Sequence, residues 1–264
     1  MKETDYHTYH RLLMGEAISH SVLPSRIKHS SIFKQLLESG IVEKTKVGRG
    51  FCFMVSDTMN YRDFFSTTFP EKDTSISKSG NIRQFRDSKA RKVATEAVFF
   101  LRGFSAIRLE DQTLDLGHYT QNFGLFAVKS PSLETKKICF VENLHPFLMA
   151  ENLLGNDYVY IHKYGRIGAK SIKPFKLGEA LVFVDYDFNG LDEYLRIKSV
   201  FPQAQLYIPE NFETLFERFA KSLKGNKAVA SAQVKSSLLP EVVKIRNLVE
   251  RHHRFLEQEI LFHD

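Results

Sequence analysis

The run Ala180-Leu-Val-Phe-Val184 constrains this chain most, because five consecutive apolar residues leave no side of the segment to face water. Such a stretch suits a strand of a parallel sheet covered on both faces. Asp185 and Asp187 follow, two apart, so both carboxylates leave the same face of an extended chain. Gly190 then permits a turn into a helix that carries Leu191, Tyr194, Leu195 and Ile197. Open α/β sheets place their ligands at the carboxyl ends of strands. Two close carboxylates repel unless a cation or protons relieve them, and a hard divalent ion with oxygen ligands, Mg²⁺ or Mn²⁺, is the simplest partner. Acidic residues also fill such turns as helix caps.

A second apolar strand, Lys136 to Val141, ends on another carboxylate, Glu142. The interval from Glu142 to Asp185 has room for a helix (Leu144 to Leu154), a strand (Tyr158 to His162) and a return. Strand-Glu followed by strand-Asp-X-Asp in βαβ order resembles the Toprim domain of type II and type VI topoisomerases, DnaG-type primases and several nucleases. The turn is similar to the Gly-Asp-X-Asp-Pro-X-Gly of the topoisomerase VI A subunit group. Here Val184-Asp185-Tyr186-Asp187-Phe188-Asn189-Gly190 keeps the acids and the last glycine and departs at Val184 and Phe188. Near the end, Leu256-Glu257-Gln258-Glu259 resembles the Leu-Glu-Gln-Glu signature of the Wadjet nuclease subunit JetD, and Glu142-Asn143 resembles the pair that opens its Toprim domain. The resemblance runs from Arg86 to the end. It implies a carboxy-terminal Toprim domain, Rossmann-like with a mostly parallel sheet; helices followed by a basic-tipped hairpin in the first third have the plan of a winged helix-turn-helix, so an α/β chain with both is expected. The expected divisions are a winged helix at 1–70, a linker at 71–82, a connecting α/β region at 83–135, and the Toprim domain with terminal helices at 136–264.

Composition agrees with a globular chain: 264 residues, 43% hydrophobic and 26% charged. The net charge of +6 suits nucleic acid or another anionic surface. Cys52 and Cys139 lie in apolar runs, which reads as free thiols in a reducing compartment, and no zinc spacing exists. The amino terminus lacks a signal-peptide core and no apolar run approaches ~18 residues, so no membrane partner and a cytoplasmic location are expected.

In the first third, Tyr6 to Met14 has helical spacing. A helix from Ser31, capped by Ser31 itself, turns Ile32, Leu36 and Leu37 inward and stops at Gly40. Two strand patterns flank Val47-Gly48-Arg49-Gly50, a hairpin signal with a basic tip. On a DNA-binding reading Arg26, Lys28 and Lys34 face a groove and Arg49 lies on the wing; on the other reading the wing packs against protein. Phe85 to Leu101 is expected to be a helix with Val93, Ala97, Phe100 and Leu101 inward. Arg86, Lys89, Arg91 and Lys92 then form a phosphate-gripping cluster or a solvated face. Ile107 to Val128 suggests short strands, with Asp111 and Asp115 in turns. Gly165 to Lys170 reads as a βα loop near the acids, while His145 and His162 are left out of the metal site. Gln205 to Ile208 is expected to be a strand, Phe212 to Phe219 a helix, and Leu239 to Leu261 one long helix. Glu257 and Glu259 fall on different faces of that last helix, so only one reaches the acidic centre.

The chemistry this implies is phosphodiester hydrolysis assisted by metal. Glu142, Asp185 and Asp187 hold the ions, Glu257 is the candidate fourth acid, and Lys89 or Arg91 positions the scissile phosphate. The resemblance also offers a transesterase using a winged-helix tyrosine, for which Tyr61 is nearest in place, although the chain lacks an adjacent tyrosine pair. A third class is a non-catalytic DNA-binding or regulatory protein whose Toprim fold serves dimerisation or partner contact. Expected partners are double-stranded DNA, an SMC-like ATPase complex in defence against plasmids or phage, and a second copy of the chain.

Overall fold

The computed structural model describes residues 3–70, 76–93, 96–129, 131–223 and 229–262. The chain is α/β and divides into two compact units, Met1–Thr95 and Glu96–Asp264. The first unit runs α1 (Glu3–Leu13), β1 (Ile18–Ser19), α2 (Ser25–Lys28), α3 (Ser31–Glu38), β2 (Val42–Val47), β3 (Gly50–Val55), α4 (Thr58–Thr68) and α5 (Lys78–Phe85). Its three strands form an antiparallel sheet in the order β1-β3-β2. Helix α3 is capped by Ser30 rather than Ser31: the Ser30 hydroxyl accepts from the Phe33 N–H at 3.1 Å. That start turns Phe33 and Leu36 fully inward, against Tyr9, Ile27 and Phe53. Gly48 at φ +58° makes the two-residue turn between β2 and β3, where a glycine at the first central position suits the strand twist.

The expected linker at 71–82 contains the start of α5. Residues 71–75 lie outside the described residues, but Ser77 caps α5 by accepting from the Gly80 N–H at 2.9 Å. Asn81 is fully buried and donates its amide to the Ser88 and Arg91 carbonyls at 3.0 and 2.9 Å. Short polar residues make this segment local hydrogen bonds in place of apolar burial. The expected helix from Phe85 to Leu101 does not form. Arg86 takes a left-handed conformation, φ +53°, and ends α5. Val98–Arg102 is instead strand β4, with Phe99 and Leu101 at period two completely buried on one face.

The second unit continues with β5 (Ala106–Leu109), β6 (Gln112–Asp115), α6 (Leu116–Phe123), β7 (Phe126–Lys129), β8 (Leu133–Val141), α7 (Leu144–Leu154), β9 (Val159–His162), α8 (Ala169–Ile172) and β10 (Lys176–Phe183). It closes with α9 (Phe188–Val200), β11 (Gln205–Leu206), α10 (Phe212–Phe219), β12 (Lys221–Ser222), α11 (Ala232–Ser236), α12 (Pro240–His252), β13 (Arg254–Phe255) and a 3-10 turn at Gln258–Phe262. The main sheet has the order β11-β10-β8-β9-β4-β7. Neighbours from β11 to β9 pair parallel, while β4 and β7 add antiparallel strands, so the sheet is mixed. Those antiparallel strands come from the stretch read as a connector at 83–135. Side chains of β8 and β9 alternate between two cores. Ile138, Phe140, Val159 and Ile161 meet α9 and α12 on one face; Cys139, Val141 and Tyr160 meet α7 on the other. Both faces are covered, as the unbroken apolar runs require. No helix among the described residues is long and apolar enough to cross a membrane.

The expected terminal helix stops at His252, because His253 adopts φ +51°. Beyond it, Arg254–Phe255 pairs antiparallel with β12 and buries Phe255 and Leu256. Tyr61, the candidate nucleophile, belongs to the core of the first unit. It has no exposed surface, donates its hydroxyl to the Tyr9 carbonyl at 2.9 Å, and burial holds its hydroxyl well above the usual phenol range. Tyr61→Phe should therefore act on stability. A loss of about 1 kcal/mol in denaturant unfolding is expected, and an unchanged unfolding midpoint would show that the hydrogen bond contributes nothing.

Candidate functional site

The parallel ladder of β8 and β10 reaches Val141↔Phe183, and the chain continues it past both strand ends. The Glu142 N–H donates to the Phe183 carbonyl at 3.0 Å. The Asp185 N–H then donates to Glu142 Oε2 at 3.1 Å. Two carboxylates far apart in sequence become neighbours at the carboxyl edge of adjacent strands. The position is also a switch in topology, since β9 lies on one side of β8 and β10 on the other. A crevice opens at such a point, outside the strand ends.

Asp187 caps α9. Its Oδ1 accepts from the Asn189 and Gly190 N–H groups, both at 2.8 Å, and the residue is fully buried. Gly190 is required by close approach: a Cβ there would stand 1.9 Å from the Asp185 carbonyl oxygen. The turn is held from the far end of the chain. Tyr186 bridges Leu256, donating its N–H to the Leu256 carbonyl at 2.9 Å. The Gln258 N–H donates to Asp185 Oδ1 at 3.1 Å. Asn143 sits at the N-cap of α7 but turns its amide away from the helix, donating to Asp185 Oδ1 at 3.2 Å and to Glu259 Oε1 at 3.1 Å.

One of the two terminal glutamates reaches the acidic centre, and it is Glu259. Glu257, the expected fourth acid, forms an ion pair with Lys221 and keeps its side chain 41% exposed. The helical geometry used to weigh the two residues does not apply, because α12 has ended and the chain re-enters through a strand and a 3-10 turn. Asn143, Gln258 and Glu259 all lie within the two short motifs that carry the family resemblance, so a signal for them was present. The helix-breaking His253 carries no glycine or proline signature.

Burial first, then the charges of Asp185 and Asp187, push the Glu142 carboxyl up to about 8. A bound cation would reverse the sign of that field and favour the ionised acid. Among the described residues, no three acidic, histidine or cysteine side chains already stand at the spacing of ligands to one metal. The donor chemistry does fit a hard divalent ion. Glu259 Oε2 is a buried carboxylate oxygen with no hydrogen-bond partner, and the buried Gln258 Oε1 beside it likewise has none.

A cavity of about 400 Å³ opens beside Glu142, walled by Phe100, Phe140, His162, Val184 and Glu193 and rimmed by residues 163–167. Of the expected Gly165–Lys170 loop, Gly165 to Ile167 thus line the cavity with Glu142, while Ala169 and Lys170 already belong to α8. Glu193 is 6% exposed and its Oε1 accepts from the Ile167 N–H at 2.6 Å, while Arg196 pairs with its other oxygen. Burial raises its carboxyl. His162 donates from Nδ1 to the Val141 carbonyl at 3.1 Å, and burial lowers its basicity. His145 is exposed at the start of α7.

The expected basic residues all belong to the first unit. Lys34 is exposed on α3, Lys28 is half-buried, and Arg49 is exposed in the β2–β3 turn. Arg26 is paired with the buried Asp5. The cluster placed on a helix at Arg86, Lys89, Arg91 and Lys92 has no helix beneath it. Arg86 is the exposed left-handed residue after α5, and Lys89 is exposed in a turn where its N–H donates to Asp87 at 2.9 Å. Arg91 is engaged by Glu3 at 3.1 Å and by Gln84, with its guanidinium 4.7 Å above the Phe85 ring. Those contacts make Arg91 a structural residue of the first unit.

The raised Glu142 acidity constant has a consequence for stability. The carboxyl titrates near 4.5 when unfolded and near 8 when folded. The native state therefore holds an extra proton between those values, and stability falls as pH rises from about 4.5 to 8. Glu142→Gln stays neutral throughout. Its unfolding free energy should exceed that of wild type at pH 8 by an amount on the order of a few kcal/mol, and the gap should close toward pH 5. Parallel melting curves for the two proteins across that range would overturn the assignment. No protein-family model matches this sequence and no curated protein is significantly similar to it.

Proposed function

We propose that the chain is a metal-dependent DNA endonuclease that hydrolyses phosphodiesters, of the kind implied by its resemblance to the JetD and topoisomerase VI A-subunit group. The observation that carries this reading is the direct hydrogen bond linking Asp185 to Glu142 across the ends of two parallel strands, with Glu259 drawn to the same point through Asn143. A parallel β11-β10-β8-β9 core with the acids at its switch point supports a Toprim-like assignment. In the first unit, the order helix, strand, two helices, hairpin, with sheet order β1-β3-β2, supports a winged helix-turn-helix.

In this reading Glu142, Asp185, Asp187 and Glu259 would hold Mg²⁺ or Mn²⁺. The ion would supply charge neutralisation on the phosphoryl oxygens, an acidified water and a stabilised leaving oxygen. The chain's own part is to fix the donors. Asn143 holds Asp185 and Glu259 in one orientation, and Gly190 lets α9 start directly under the Asp185 carbonyl. Burial of Asp185 and Asp187 keeps bulk water from screening the site. Lys34 and Arg49 would bind duplex phosphates. An SMC-like ATPase complex and a second copy of the chain are the partners the resemblance implies. A non-catalytic reading draws on one observation, that Asp187 Oδ1 is already committed to capping α9.

Nicking of supercoiled plasmid, with Mg²⁺ or Mn²⁺ and with or without the ATPase complex, separates the readings. Asp185→Ala and Glu259→Gln should fall to the chelator background. Asn143→Ala, acting through the orientation of its partners, should lose about 10- to 100-fold. Glu257→Gln and Tyr61→Phe should cut like wild type. Cleavage by Asp185→Ala at the wild-type rate would leave the acids a structural role.

DNA affinity should fall as salt rises, because phosphate contacts release counterions. Arg49→Ala should weaken binding to every duplex by a similar factor and reduce the slope of log affinity against log salt by about 1. Unchanged binding in that variant would point to a protein contact for the hairpin.

A further inference from the structure

We infer that the cavity beside Glu142 is a nucleotide site, which takes one unstacked base of a nucleic-acid strand while the attached phosphates lie along Lys163 and Arg166. This rests on the proposed nucleic-acid substrate and specifies its form: the strand at the site is single, or is locally opened.

The volume of about 400 Å³ lies within the range of small-molecule pockets, about 300–1,000 Å³, and cannot admit a duplex. Its walls are those a flat heterocycle packs against: Phe100, Phe140, Val184 and Ile197, with the His162 ring stacked on Phe100 at 5.9 Å and 14°. The rim is polar and cationic. Lys163 donates its ammonium to the Tyr164 and Arg166 carbonyls at 3.3 and 2.9 Å, which folds the loop back and holds a positive charge at the mouth. Arg166 is exposed, donates to Asn189 Oδ1 on α9 at 3.0 Å and lies 3.7 Å from the Asp192 carboxylate, which orients its guanidinium. Tyr164, between them, is 90% exposed, an aromatic face with no packing role. An aromatic face between two cations is how sequence-tolerant strand binding is built, through base stacking and phosphate attraction. The loop is anchored from beneath, where the Ile167 N–H donates to Glu193 Oε1 at 2.6 Å.

Position supports the same occupant. Glu142 lines the cavity and also receives the Asp185 N–H, so a base inside the cavity would bring its own sugar-phosphate to the acids. Enzymes that act on nucleic acid commonly hold a displaced base in such a pocket, and the cost of unstacking is least where the strand is already single.

The test uses the full-length protein, a fluorescently labelled single-stranded oligonucleotide, the matching duplex and free nucleoside monophosphates. Leu144 lines the mouth and is 49% exposed, so Leu144→Trp narrows the entrance without disturbing buried atoms. Leu144→Trp and Tyr164→Ala should each weaken single-strand binding roughly tenfold and leave the melting temperature and duplex binding unchanged. Competition by nucleoside monophosphates that is also lost in Leu144→Trp would identify a free nucleotide as the occupant, whereas competition by oligonucleotides alone would identify the strand. If both variants bind single strands like wild type, the cavity is not a base site. Failure of the cleavage reading is separate: a wild type that never nicks DNA but loses single-strand binding in Leu144→Trp keeps this site and loses the nuclease. A wild type that nicks, with both variants cutting and binding normally, does the reverse.

Discussion

The parallel pairing of β8 with β10 is the constraint on which the acidic site depends. Its register sets Val141 opposite Phe183. The next backbone groups then have no choice of partner: the Glu142 N–H takes the Phe183 carbonyl, and the Asp185 N–H takes the Glu142 side chain. A one-residue slip would send every side chain of the strand to the opposite face, exchanging the α7 and α9 cores. Hydrophobic burial on both faces thus fixes where the carboxylates stand.

Concentrating acids at a buried edge is unfavourable by itself, and the structure offsets it with local donors. Asp187 takes two backbone N–H groups at the start of α9, where an anion is favoured by the helix dipole. Asp185 takes the Gln258 N–H and the Asn143 amide. Glu142 takes one backbone donor, the Asp185 N–H, and burial with the two neighbouring charges still holds its carboxyl well above the usual carboxylate range. The terminal segment belongs to the same arrangement, since the Tyr186–Leu256 bridge ties the chain end to the acidic turn.

Much of the second unit was legible. The run at Lys136–Val141 lies in β8, the run from Ala180 is the end of β10 at Phe183, the helix after Glu142 and the one from Phe212 to Phe219 form, and the glycine loop lines the cavity with Glu142. Phe85–Leu101 misled because Val93, Ala97, Phe100 and Leu101 fit a helical period, while Phe99 and Leu101 fit a strand. Only the available partners β9 and β7 decide between them. The terminal helix misled for a related reason. Residues 239–261 have helical periodicity throughout, yet burying Phe255 and Leu256 against the site requires a break at His253.

The sequence by itself determined the local chemistry: which strands are buried, that Glu142 and the Asp185–Asp187 pair sit at strand ends, and that the first third holds helices and a basic-tipped hairpin. These follow from short-range periodicity and from residues whose effect is local. Tertiary structure alone decided that Glu259, not Glu257, reaches the acids, that Asn143 links them, and that Arg91 and Tyr61 serve the first unit's packing. It also created the cavity beside Glu142. Each of these depends on contacts between residues distant in the chain, and the free energy of such contacts is set by what the fold brings alongside, which no local pattern encodes.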